Sequence, residues 1–133
     1  MASIRFEGLE EFQEKLKLIE KKAPDRIIEK LDEEGKKLRK AARDNTPKIT
    51  GKTRKGYKLL PVQKVQGGYQ KGIYNDHPTF WLIEHGHRKV SPSGKELGWT
   101  EGLFMLEKTV KEQEEPIMEE LQKWLDELFQ ELK

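Results

Sequence analysis

Glu84-His85-Gly86-His87 sets two of the chain's three histidines and a carboxylate within four consecutive positions. Residues of these types can ligate a metal ion or move protons. Zinc takes three or four ligands. His85 and His87 would offer two on one side of an extended segment, and Glu84, Asp76 or His77 could complete the set. No established ligand spacing accompanies them, and Gly86 between them reads as a turn residue flanked by loop residues. General acid–base work by Glu84 and a histidine lacks a reacting partner, because no serine or threonine sits in a nucleophile elbow and no paired-carboxylate pattern occurs. Gly51-Lys52-Thr53 has the ending of a phosphate-binding loop, yet Thr46 stands where that motif requires its first glycine. The expectation is a chain with no catalytic residue, no metal ligand and no cofactor.

Charge points elsewhere. Hydrophobic residues make up 34% of the sequence and charged residues 38%, and the net charge of +2 hides a strong polarity. Residues 36–58 carry ten basic groups against the single acid Asp44, whereas residues 101–133 carry four basic groups against ten acids. Lys36, Lys37, Arg39, Lys40 and Arg43 continue into Lys48, Lys52, Arg54, Lys55 and Lys58 beside Tyr57. This stripe suits an anionic partner such as nucleic acid, or it is a solvated face balanced by acidic neighbours. No recognition helix or base-stacking platform accompanies it. Opposed basic and acidic segments also suit contact between copies of one chain.

The elements that must position these residues follow from periodicity. Ser3 to Phe6 alternates like a short edge strand. From Gly8, the apolar residues Leu9, Phe12, Leu16 and Ile19 recur at helical spacing. Pro24 suits the first turn of a second helix, whose inner face is expected at Ile28, Leu31, Gly35, Leu38 and Ala42. Its small residues would admit a close neighbour. Asn45-Thr46-Pro47 ends it. Lys48 to Gly56 reads as an exposed, mobile loop in which Thr50 to Arg54 would order on docking. Tyr57 to Val65 and Tyr69 to Tyr74, flanking Gln66-Gly67-Gly68, predict a hairpin. Phe80 to Ile83 predicts a helical turn capped by Thr79, and Val90 to Gly98 a loop. Helical periodicity returns from Trp99, through Leu103, Leu106 and Val110, then Ile117, Leu121, Trp124, Leu128 and Leu132, with Pro116 starting a new helix or kinking one long one. The order is α+β: a small antiparallel sheet, a hairpin plus an edge strand, packed by long N-terminal and C-terminal helices.

With 133 residues, one domain spanning 1–133 is expected. Its lean apolar content hints at completion by partner subunits. Cysteine is absent, which excludes disulfides, thiolate zinc sites and a cysteine nucleophile. The first residues hold no apolar signal core and no run of about 18 apolar residues occurs, so neither export by that route nor membrane insertion is expected.

The stretches "ARDNTPKITGKTRKGY" and "GIYNDHPTFWLIEHGHRK", followed by a helical C-terminus, resemble the tailed-bacteriophage neck and tail-completion proteins typified by the tenth gene product of a lambdoid phage. The family's turn after its N-terminal helices corresponds to Asn45-Thr46-Pro47, its threonine-glycine pair and following basic residue to Thr50-Gly51 and Arg54, and its aromatic-to-glutamate-to-glycine element to Phe80, Glu84 and Gly86. Thr53 stands where a leucine is usual and His85 where an aromatic is common. The resemblance spans roughly residues 4 to 130. It implies a non-enzymatic virion-assembly protein of a phage or prophage, made in the host cytoplasm and placed at the head–tail junction. Implied partners are copies of itself in an oligomer or ring, other neck, connector and tail proteins, and DNA in the channel by non-specific contact, with no membrane. Candidate interaction residues are Thr50, Gly51, Lys52, Arg54, Lys55, Glu84 and Gly86; Glu84 would hydrogen-bond or pair with the basic loop, and Gly86 would turn the chain into a flexible, exposed connection. The competing reading is a nucleic-acid-binding or metal-dependent accessory protein using residues 36–58 and His85 with His87.

Overall fold

A computed structural model describes residues 2–6, 10–48, 51–66 and 68–132, with the backbone alone for 2–6 and 10–12. Along the chain run β1 (Ala2–Phe6), α1 (Glu10–Lys22), α2 (Pro24–Asp44), α3 (Lys52–Lys55), β2 (Tyr57–Leu59), β3 (Gln63–Val65), β4 (Gly68–Asn75), α4 (Phe80–His85), β5 (Gly86–Val90), β6 (Glu96–Glu101) and α5 (Met105–Leu132). The architecture is α+β, as the sequence predicts.

β4 is the axis of the main sheet. β1 runs antiparallel along one edge, from Ala2 opposite Ile73 to Phe6 opposite Tyr69. β2 and β3 share the other edge, Leu59 opposite Ile73 and Gln63 opposite Gln70. Leu60, Pro61 and Val62 therefore face only Lys71 and Gly72, a local bulge where Pro61 has no N–H to give the ladder. The predicted hairpin closes with Val65 opposite Gly68; Gly67 lies outside the described residues.

Alternation along β4 puts Tyr69, Lys71, Ile73 and Asn75 on one side, and all four are buried. α2 packs on β2 and β4, α1 and α5 pack on α2 and on each other, and α5 reaches β1. Leu16, Ile19, Ile27, Leu31, Leu38, Tyr57, Ile73, Leu121, Leu125 and Leu128 join in one core. Gly35 admits the Lys71 stem, since a Cβ there would lie 3.0 Å from Lys71 Cε. The Lys71 ammonium then emerges at Asp32, 2.7 Å away.

Four sequence readings need correction. On α2 the inner isoleucine is Ile27, fully buried, while Ile28 is exposed, because Ile27, Leu31, Leu38 and Ala42 form the row that faces the core. Thr79 precedes α4 but makes no side-chain cap; its hydroxyl pairs with His77 Nδ1 at 2.9 Å instead. Residues Val90 to Gly98 are not simply a loop, for β5 and β6 pair from Gly86 opposite Glu101 to Val90 opposite Glu96. Trp99 accordingly belongs to a strand, and helix begins only at Met105. Helical spacing lost there because Gly98, at φ +128°, and the strand partners favour a ribbon. α5 itself is continuous through Pro116.

Candidate functional site

The basic segment is anchored at the end of α2. Buried Thr46 donates from Oγ1 to the Ala42 carbonyl at 2.6 Å, and the Tyr57 hydroxyl lies 2.7 Å from that same oxygen. Having committed its one proton, Thr46 accepts from Tyr57, whose burial raises the phenol above its ordinary pKa. Asn45 reaches the other way, donating from Nδ2 to Thr109 Oγ1 on α5 at 2.8 Å. Ile49 and Thr50 lie outside the described residues.

Gly51 adopts φ +80°, where a side chain would be strained, and opens α3. Within α3, Thr53 is buried and its carbonyl accepts Asn75 Nδ2 at 2.8 Å. Arg54 Nε donates to the Arg43 carbonyl at 2.9 Å, and its guanidinium stands 4.0 Å from Asp44. Lys52 and Lys55 face solvent. The expected mobile loop is thus largely a fastened helical turn, held by polar contacts to α2 and β4 that no local pattern announces. Arg43, Lys48, Gly51, Arg54 and Lys55 line an open pocket of about 340 Å³.

The basic stripe of α2 is divided. Lys36 and Lys40 are exposed, but Lys37 points to α5 and meets Glu120 at 2.7 Å and buried Glu34 at 3.4 Å. Lys30 meets the same two carboxylates at 3.1 and 3.3 Å. The Lys37 hydrogen bond holds Glu120 down at about 2, and Glu120 in turn raises Lys37. Burial raises Glu34, whose Oε2 has no hydrogen-bond partner. Among the described residues, Glu33, Glu34 and Glu120 are the carboxylates whose oxygens converge closely enough for a cation, and two ammonium groups already occupy their midst.

Glu84, His85 and His87 do not converge as ligands. Glu84 is buried and its carboxylate caps α5, Oε1 accepting the Leu106 N–H and Oε2 the Glu107 N–H, each at 3.1 Å. Its backbone carbonyl accepts the Phe104 N–H at 3.0 Å, so one residue fixes the entry to a 28-residue helix. A carboxylate at a helix N-terminus meets both unpaired donors and the positive end of the dipole. The expectation that Glu84 serves the basic loop is corrected: its partners are backbone groups of α5. His85 is exposed, stacked on Trp81 at 5.0 Å between ring centres and edge-on to Phe104 at 5.9 Å. His87 Nδ1 lies 3.4 Å from the Leu82 carbonyl.

Gly86 follows at φ +92°, and a Cβ on it would sit 2.6 Å from the Thr100 carbonyl oxygen. It leads into β5, not into a flexible connection. Gly102 approaches from the other side; a Cβ there would lie 2.5 Å from the Glu84 carbonyl oxygen. Sequence reasoning passed over Gly102 and Asn75 because each is defined by a partner distant in the chain.

The family described as "Bacteriophage HK97-gp10, putative tail-component" matches residues 10–86, more than half of the chain. That span is shorter than the one expected from the sequence; it ends at Gly86 and leaves β6 and α5 outside. No curated protein and no solved structure matches the chain. The matched region contains the turn after α2, the α3 segment, the central strand and the Phe80–Glu84–Gly86 element, and the chain belongs to the HK97-gp10-like family of phage tail components.

Proposed function

We propose that the protein is a non-enzymatic structural component that completes the tail at the head–tail junction of a tailed phage or prophage, joining neck, connector and tail proteins as part of a homo-oligomer or ring. The observation that carries this reading is the family match over residues 10–86. The geometry is compatible with it: the Glu84 carboxylate is taken up by N–H groups of α5, and Glu34 and Glu120 pair with lysines. Thr50, Gly51, Lys52, Arg54 and Lys55 serve as the docking edge, while Glu84 fixes the entry to α5 and Gly86 the start of the β5–β6 ribbon. Among the described residues no helix is long and apolar enough to cross a membrane.

The test is deletion of the gene in its phage. Filled heads and unjoined tails in electron micrographs, restored to whole virions by the wild-type chain, are expected. Whole, infectious particles without the gene would overturn the reading.

A second contact is favoured by the pocket lined by Arg43, Lys48, Arg54 and Lys55. Its cations suit phosphate oxygens of DNA passing the junction, contacted without base readout.

A further inference from the structure

β5 and β6 form a sheet of their own, apart from β4 and its neighbours. A two-stranded ribbon is marginally stable in water unless something covers it. Here the side chains that would be covered stand open: Leu97 is 61% exposed, Val90 57% and Trp99 53%. At the ribbon's base Trp81, Leu82 and Leu103 are exposed as well. Among the described residues most of the exposed large apolar side chains thus fall between positions 81 and 103, a concentration that marks an interaction surface. Arg88, Lys89 and Lys95 add positive charge to the outer part of the ribbon, against Glu96 alone.

The complementary surface is on the same chain. Residues 112–119 of α5 carry Glu112, Glu114, Glu115 and Glu119, all exposed, and no lysine or arginine. Pro116 is exposed among them and Met118 is partly so. The ribbon packs on its own body chiefly through α4.

We propose that the β5–β6 ribbon of one copy lies on the outer face of α5 of a second copy, with Arg88 and Lys95 over the stripe of Glu112, Glu115 and Glu119 and Leu97 against Pro116. Ribbon and helix face are different surfaces of one chain, so where each copy engages a different neighbour through each of them the contact is heterologous and closes into a ring or runs on as a filament. This assignment rests on the assembly reading above and names its subunit interface.

The chain has no cysteine, so Leu97→Cys and Glu115→Cys, made separately and mixed under mild oxidation, report the contact directly. A disulfide joining position 97 to position 115, read by mass spectrometry and exceeding both like-to-like products, is expected. Predominant 97-to-97 or 115-to-115 products, or no cross-link, would overturn the interface. In sedimentation velocity, Leu97→Asp is expected to weaken self-association at least about tenfold with an unchanged circular dichroism spectrum and melting temperature. A wild-type chain that is monomeric at millimolar concentration, or a variant that assembles like wild type, would also overturn it. Complementation of the deletion phage separates the two readings. If Leu97→Asp restores whole virions while remaining monomeric, the interface fails and the junction role stands; if the wild-type gene proves dispensable, the junction role fails.

Discussion

The Glu84 carboxylate holds the backbone N–H of Leu106, 22 residues further along, at 3.1 Å, and thereby caps the longest helix from a different element. The neighbouring Glu107 N–H takes the second oxygen at the same distance. Replacing Glu84 by Gln turns one acceptor into a donor that faces an N–H. The expected loss is about 1–3 kcal/mol, read as a lower urea midpoint with an unchanged slope. A variant as stable as wild type would show that the cap contributes nothing.

Gly86→Val is expected to be far more damaging than His87→Ala. Valine meets both a positive φ and the Thr100 carbonyl oxygen at 2.6 Å, a cost of about 2 kcal/mol or more. His87 offers one long contact, to the Leu82 carbonyl, and its removal should move stability by no more than about 0.5 kcal/mol. Thermal melts of the two variants compare them, and equal, negligible shifts would refute the role given to Gly86.

Glu34 and Glu120 pull stability in opposite directions with pH. Burial raises the Glu34 pKa from its ordinary 4.5, so its contribution is fully present below that value and is lost as pH rises through the higher folded value. Glu120 is lowered from 4.5 to about 2 by the Lys37 hydrogen bond, so its contribution is present above 4.5 and is lost as pH falls toward 2. Glu34→Gln should therefore gain on wild type as pH rises above 4.5. Glu120→Gln should be weaker than wild type at pH 7, with the gap closing on acidification. The Glu120 side chain is 40% exposed, so solvent screening keeps its effect below about 1 kcal/mol. Urea titrations between pH 3 and 7 measure both trends, and parallel stability curves for the variants and wild type would contradict the assignment.

If the pocket beside α3 touches DNA, Lys48→Glu and Lys55→Glu should each weaken binding to DNA of any sequence. The slope of log affinity against log salt should fall by about 0.9 for each phosphate contact removed. Arg54→Ala should also lower the melting temperature, because Arg54 holds the Arg43 carbonyl. Affinity and salt slope unchanged by both lysine substitutions would remove DNA from this surface.

Much of the framework was legible in local pattern. The three long helices, the edge strand and the hairpin at Gln66-Gly67-Gly68 follow from periodicity, Pro24 and paired glycines, which act through neighbours a few residues away. Glu84 and Gly86 were singled out in the sequence as interaction residues, while the structure gives Glu84 to the start of α5 and Gly86 to the start of β5. Glu84 needed α5 folded back beside α4 before its carboxylate could meet Leu106 and Glu107. The Lys48–Gly56 segment looked free because the groups that fasten it, Asn75 and the Arg43 carbonyl, come from β4 and α2.

The sequence by itself determined the α+β order of elements, the opposed charges and the absence of cysteine, since composition and short-range spacing suffice for these. Only the tertiary structure decided that Lys37 pairs with Glu120 on α5, that Trp99 lies in a ribbon, and that Gly86 and Gly102 meet. Each of those depends on a contact between distant segments, where the free energy of packing and of satisfied buried donors outweighs local preference.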